Sequence, residues 1–308
     1  MKTKTKELKN ILPEIQFNIP LKDHTSFRIG GPAKYFFEAK TKKDLILALK
    51  TAKKLKLPFY ILGGGSKLLV SDKGFRGFII KVQNSKFKVQ NYTIFAEAGL
   101  SLEKLTKIAA KKSLTGLEWS AGIPGTVGGA VRGNAGAWEK SMEDIIKEVE
   151  VFDIEKQKII NLNNKKCKFS YRNSIFKKNS NLVILSCKIK LRKGNKKKSE
   201  KEMKNYLDYR REHHPLEFPT AGSIFENICF DKKSKRKKPE AIPSGRIIED
   251  CGLAGKKIGN VKISKKHSNF IINLGNGKAK DVKKLIKLAK LKVKKKFGIS
   301  LKEELQYL

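Results

Sequence analysis

Apolar positions along this chain recur with two different periods, and each period marks its elements. "KYFFEAK", residues 34–40, is a compact apolar run of strand length. "TKKDLILALKTAKKLKL", residues 41–57, repeats apolar side chains at helical spacing, with Thr41 placed to cap the helix. "PFYILGGGSKLL", residues 58–69, reads as a short buried strand running into Gly63, Gly64, Gly65 and Ser66, and "KGFRGFIIKVQ", residues 73–83, as another strand. This is an α/β unit with a glycine loop at a strand end, where ligands tend to sit.

The alternation continues with "FKVQ" (87–90) and "TIFAEA" (93–98), then a helix opening at Ser101 with Leu102, Leu105, Ile108 and Ala109 on one face. Residues 145–192 alternate strand-like runs around the polar segment "CKFSYRNSIFKK" (167–178), which predicts a second, sheet-rich region. A charged helix over 192–215 shifts the composition and marks a domain boundary. Beyond it, the helix over 279–298 places Val282, Leu285, Ile286, Ala289, Val293 and Phe297 on one side, as a surface helix packed on a core does. The closing "ISLKEELQYL" (299–308) is strand-like. There is no internal repeat.

"GLEWSAGIPGTVGGAVRGNAG", residues 116–136, holds seven of the chain's 24 glycines. Glycine loses the most freedom on folding, so a cluster needs a physical reason. Trp119, Ile123, Pro124, Val127 and Val131 interleave with it, which predicts an ordered loop, since linkers lack large apolar residues. No stretch supplies the Walker spacing, and Leu68 stands where a Rossmann fingerprint would need its last glycine. What remains is two loops rich in bare amides, able to receive phosphate oxygens. Two separate loops suit an elongated diphosphate such as a dinucleotide cofactor.

Composition narrows the class. At 308 residues with 39% hydrophobic content, the chain can build real cores. No run approaches the roughly 18–20 apolar residues of a membrane span. The N-terminal "MKTKTKELKNILPEIQFNIP" lacks the apolar centre of a signal peptide, so a cytoplasmic location is expected. Cys167, Cys187, Cys229 and Cys251 are scattered without metal spacing and read as reduced, mostly buried residues; no metal site is expected. The formal net charge of +40 comes from 60 lysines against nine arginines, spread along the whole chain. That is compositional bias rather than a nucleic-acid surface, although its field attracts anionic substrates. The expected partner is a small molecule, with no nucleic acid and no membrane, acting on a monomer.

Six motifs then fall in one order: "HTSFRIGGPAKYF", "ILGGGSKLLV", "AGIPGTVGGAVRGNAGAW", "YRNS", "AGSIFEN" and "LKEEL". From about residue 18 onward they resemble the UDP-N-acetylenolpyruvoylglucosamine reductase family. The resemblance implies an α+β fold: a two-subdomain FAD-binding region of the vanillyl-alcohol-oxidase (PCMH-like) type, then an α+β substrate-binding domain. The segments are a tail (1–17), two FAD-binding subdomains (18–83 and 84–194), a substrate domain (195–298) and a terminal strand (299–308). It implies FAD as cofactor, held by Gly63, Gly64, Gly65, Ser66, Gly122, Gly125, Thr126, Gly128 and Gly129, with Thr25, Arg28, Gly30 and Gly31 in support. NADPH is the implied co-substrate and a UDP-sugar enolpyruvyl ether the implied substrate, in peptidoglycan precursor synthesis.

By motif match, Arg172 stabilises an enolate, Ser223 donates a proton and Glu304 sits near the substrate carboxylate. Two bare carboxylates repel, so Glu304 needs a proton or a cation. Where the family usually shows L-E-P-E-V, this chain has Lys302 and Glu303 in the middle places, and Glu303 stands as the alternative to Glu304. Tyr171, Asn227, Lys256 and His267 are the implied substrate contacts, with Lys257 and Asn269 nearby. His213 and His214 read as helix-end residues, and Lys232–Lys238 as a basic insertion. Ala254 replaces a family lysine. The other readings are a different FAD oxidoreductase of this fold and a basic nucleic-acid-binding protein.

Overall fold

The computed structural model describes residues 2–229 and 241–308; the Lys232–Lys238 insertion lies outside the described residues. The chain divides into two compact units. One comprises Met1–Ile19, Lys34–Gly64 and Arg76–Asp208, the other Pro20–Ala33, Gly65–Phe75 and Tyr209–Leu308.

Two larger sheets lie mainly in the first unit. A four-stranded sheet runs in the order Gln16–Pro20, Pro32–Ala39, Phe75–Val82, Phe59–Leu62, the last two parallel with Leu62 opposite Lys81. An antiparallel five-stranded sheet runs Lys158–Asn163, Ile146–Asp153, Leu182–Lys190, Thr93–Glu97, Phe87–Gln90. Side-chain period two sets its register: Val149 faces Cys187, which faces Ala96, and all three are buried. The four-stranded sheet lies within residues 16–82 and the five-stranded sheet within 87–190, while Phe78, Leu49, Trp119, Val151 and Leu185 share one core.

Thr41 caps the helix Lys42–Lys54 in a reciprocal capping box with Asp44. In the helix Leu102–Lys111, Ser101 caps as expected, but Thr106 rather than Ile108 completes the buried face. Its hydroxyl is satisfied by Leu102 O at 2.8 Å and Ser120 Oγ at 2.5 Å, which removes the cost of burying it. The N-terminal tail is a helix, Lys2–Ile11; Leu8, with Leu12 just beyond it, anchors it in the core. Burial pushes the Cys167 thiol up to about 11 and Cys187 up to about 12, so both stay protonated and inert.

The second unit has an antiparallel sheet in the order Thr220–Ser223, Phe270–Asn273, Val261–Ile263, Lys257–Ile258. The helix Ala279–Phe297 buries Val282, Leu285, Ile286, Ala289 and Val293. Phe297, expected on that face, is 39% exposed because the helix ends there in the left-handed Gly298. Of the strand-like C-terminus, Gln306–Tyr307 pairs in parallel with Leu68–Leu69.

The compact units interleave along the chain and do not follow the contiguous segments that the resemblance implies. Phe27, Ile29 and Leu69 bury with Ile224, Val261 and Leu285, which draws residues 20–33 and 65–75 into the C-terminal unit. The division near the expected boundary falls inside the helix Lys196–His213, after Asp208. Asp72, brought in this way, accepts the N–H groups of Ala279 at 2.8 Å and Lys280 at 3.1 Å, capping the long helix that has no local side-chain cap. Asp72→Ala is expected to cost about 1 kcal/mol, read as a lowered midpoint in urea unfolding with unchanged slope.

Candidate active site

In the first unit the strand Phe59–Leu62 delivers Gly63 and Gly64 directly onto the second glycine loop. A Cβ built on Gly64 would lie 2.6 Å from Gly125 Cα, and one on Gly63 would lie 2.7 Å from Thr126 Oγ1. Only hydrogen at these positions lets the two loops meet. Thr126 then caps the helix Val127–Gly133, its Oγ1 accepting Gly129 N–H at 3.4 Å. Gly128 is pressed on Ala98, but a Cβ on Gly129 would meet nothing nearer than Thr126 Oγ1 at 3.6 Å. Gly64, Gly122 and Gly129 are exposed. The N–H groups of Gly64, Gly125 and Thr126 donate to no acceptor among the described residues. Lys81, its basicity lowered by burial, donates to Gly63 O at 2.7 Å and fixes the loop carbonyl.

The far end of the same glycine helix supports the "YRNS" turn. Asn134 ends the helix in the left-handed conformation and donates from Nδ2 to Ser170 O at 3.0 Å and Glu143 Oε2 at 2.9 Å. Ser174, fully buried, donates to Arg132 O at 2.7 Å. Reciprocal bonds between Ser170 and Asn173 close the turn, leaving Tyr171 and Arg172 at its tip. Arg172 takes a positive φ of 53°, lays its guanidinium over the Tyr171 ring at 5.0 Å and donates from Nη2 to Gly136 O at 2.9 Å. That backbone geometry is uncommon for a residue with a side chain and is held here by the surrounding bonds.

In the second unit, Ser223 ends a strand whose register is interrupted at Gly222, where φ is +69°. Residues 302–304 run beside 224–226: Glu226 N–H donates to Lys302 O and Glu304 N–H to Ile224 O, both at 2.8 Å. This pairing carries Glu304 to the Ser223 end. Lys67 joins them, with Nζ 2.6 Å from Ser223 O and 3.1 Å from Glu304 Oε2. Glu303 is engaged elsewhere, by Lys290 and the Tyr307 hydroxyl. Of the two candidate acids, Glu304 is the one brought to Ser223.

The remaining residues separate by what they touch. Gly65 belongs to the second unit, buried at φ +63° with its carbonyl accepting Ser26 N–H; Ser66 beside it is half-buried. Asn227 Oδ1 accepts Ser244 N–H at 3.3 Å at the start of the helix Ser244–Asp250. Lys256 is exposed in a turn. His267 lies against Phe270 at 4.8 Å and His214 at 5.5 Å, and accepts Asn269 N–H through Nδ1. Burial lowers the basicity of His267, and burial beside Arg210 pushes His214 down to about 4, so both rings are neutral at pH 7. They offer hydrogen bonds, not charge. Asn269, buried, clamps both backbone groups of Phe225 at 2.9 Å. Lys67 and Asn134 escaped the sequence reading: Lys67 meets Ser223 across 156 positions, and no local pattern encodes such a contact.

Chemically, the first unit offers unsatisfied amides suited to phosphate oxygens and a fixed guanidinium suited to a carboxylate. The second brings a serine main chain and a carboxylate onto one ammonium. The family model described as "FAD binding domain" matches residues 33–163, and the model "UDP-N-acetylenolpyruvoylglucosamine reductase, C-terminal domain" matches residues 214–308. The unsatisfied amides and the open face of Gly129 fit a phosphate-bearing cofactor such as FAD. A UDP-N-acetylenolpyruvoylglucosamine reductase from Caldanaerobacter subterraneus subsp. tengcongensis is 42% identical over 97% of this chain and 96% of its own length. One from Caldicellulosiruptor bescii is 41% identical over 98% and 93%. The crystal structure of a UDP-N-acetylenolpyruvylglucosamine reductase from Thermus caldophilus covers 96% of this chain at TM-score 0.77 and 29% identity. With such identity sustained end to end on an FAD-binding domain and its C-terminal partner, the chain belongs to the UDP-N-acetylenolpyruvoylglucosamine reductase family.

Proposed function

We propose that this protein reduces the enolpyruvyl ether of UDP-N-acetylglucosamine to UDP-N-acetylmuramate with NADPH as reductant, in the cytoplasm, as a step of peptidoglycan precursor synthesis. Bound FAD would supply the hydride chemistry that links NADPH oxidation to reduction of the substrate's vinyl group. The chain's own residues bind, polarise and protonate. Gly63, Gly64, Gly122, Gly125, Thr126, Gly128 and Gly129, with Gly65 and Ser66, hold the cofactor through backbone and hydroxyl groups. Arg172 grips the substrate carboxylate and stabilises the enolate charge that develops there, which a planar two-pronged donor does better than lysine. Ser223 Oγ gives its proton to the carbon beside the carboxylate. Glu304, with Lys67 as its counter-ion, polarises the acrylate. Tyr171, Asn227, Lys256 and His267 serve the UDP-sugar.

The observation that carries this reading is the hydroxyl residue Ser223 and the carboxyl residue Glu304 meeting on one ammonium. An anaerobic two-step spectrum tests it. NADPH is expected to bleach the flavin band, and the enolpyruvyl ether to restore it stoichiometrically. A reduced flavin that the ether leaves bleached overturns the reading.

Gly129→Ala separates cofactor contact from chain geometry. A helical glycine without steric need for its missing Cβ costs roughly 0.5–1 kcal/mol relative to alanine. The variant apoprotein is expected to melt higher than the parent, while FAD titrated into it binds more weakly. Unchanged FAD affinity would remove Gly129 from the cofactor surface.

A further inference from the structure

We propose that Lys67 is a positioning residue for substrate reduction, whose ammonium compensates Glu304 and anchors the Ser223 main chain so that an anionic acrylate meets no bare carboxylate. The inference rests on the reading that Ser223 and Glu304 serve the reduction.

Lys67 is held at both ends. Its carbonyl accepts Gln306 N–H at 2.9 Å, and the neighbouring Leu68 pairs with Gln306 in the terminal parallel bridge. Its Nζ reaches Ser223 O at 2.6 Å and Glu304 Oε2 at 3.1 Å. Gly222 makes room for it: a Cβ there would lie 3.3 Å from Nζ, at a φ of +69° that side chains rarely adopt. Glu304 is only 10% exposed at its side chain against 37% for Lys67, so the carboxylate depends on this counter-charge more than an exposed ion pair would. A substrate carboxylate brought beside an uncompensated Glu304 would be repelled. The same ammonium bonded to Ser223 O restrains the residue to which the proposed function assigns the proton. One lysine therefore serves both groups.

The test measures binding of UDP-N-acetylmuramate, which carries the carboxylate, by perturbation of the oxidised flavin spectrum in the holoenzyme. Lys67→Met is expected to weaken binding about tenfold, and Lys67→Arg, which keeps the charge, by less than about threefold. In a Glu304→Gln background the charge needing compensation is gone, and Lys67→Met is expected to change affinity by less than about twofold. A merely structural role predicts the same loss in both backgrounds, and that result overturns the proposal, as does unaltered binding by Lys67→Met alone. Should Lys67→Met fail to fold, the Glu304→Gln double variant is expected to recover; failure of both overturns it. Wild-type protein whose reduced flavin is not reoxidised by the enolpyruvyl ether sinks the functional reading itself. Normal reoxidation with an insensitive Lys67→Met sinks only the lysine's role.

Discussion

Ser223→Ala is expected to slow reoxidation of the reduced flavin by the enolpyruvyl ether by about 10²–10⁴-fold, the range general acid catalysis supplies. Bleaching by NADPH should proceed at its parental rate. The separation follows from what the substitution removes. Ser223 contributes its main chain to the fold, through the Phe270 pairing and the carbonyl bonded to Lys67, and alanine keeps both. Only the hydroxyl is lost, and with it the proton that the proposed function assigns to the carbanionic carbon. Single-turnover stopped-flow traces of the two steps decide the matter. If the NADPH step collapses alongside the second, Ser223 acts on the structure and another group is the acid.

Gly64→Ala is expected to yield protein depleted of flavin, with FAD affinity lowered about ten- to hundredfold. The new Cβ would sit 2.6 Å from Gly125 Cα and 3.3 Å from Gly125 C. The obstacle is the Gly125 backbone, so no rotamer change relieves it and the loops must part, at the roughly 1–3 kcal/mol typical of overpacking. Gly133→Ala, in the same glycine helix with nothing within 4 Å of its added Cβ, is the control and should retain flavin. Flavin absorbance per chain reads both. A yellow Gly64→Ala protein of normal affinity would show that the loop contact does not shape the cofactor surface.

Local signals carried much of the fold. The helical period of residues 41–57, the cap at Thr41, the alternation of 145–154 against 158–162 and the apolar face of 279–293 all appear as elements in the places their spacing marks. Misjudged positions share one cause. Thr106 displaced Ile108 from a buried face because Ser120, distant along the chain, satisfies its hydroxyl. The N-terminal tail is helical because Leu8 and Leu12 find the main core, which its lysine-rich composition conceals.

For the site, the ordered motifs "GGGS", "GIPGTVGGA", "YRNS", "AGSIFEN" and "LKEEL" marked the candidate residues, because each is a short run of special backbone or chemistry; their roles rest on the proposed function. They could not tell Glu303 from Glu304. That distinction depends on Ile224 pairing with Glu304 and on Lys290 and Tyr307 taking Glu303.

By itself, the sequence determined the element periods, the glycine loops and the family. All of these are written in neighbouring residues, where steric and hydrogen-bonding rules act over a few positions. Only the tertiary structure decided that Gly63 and Gly64 rest on Gly125 and Thr126, that residues 20–33 and 65–75 join the C-terminal unit, and that Lys67 bonds both Ser223 O and Glu304. Those choices follow from burial and charge compensation between groups far apart along the chain, whose cost and gain exist only once the chain has closed on itself.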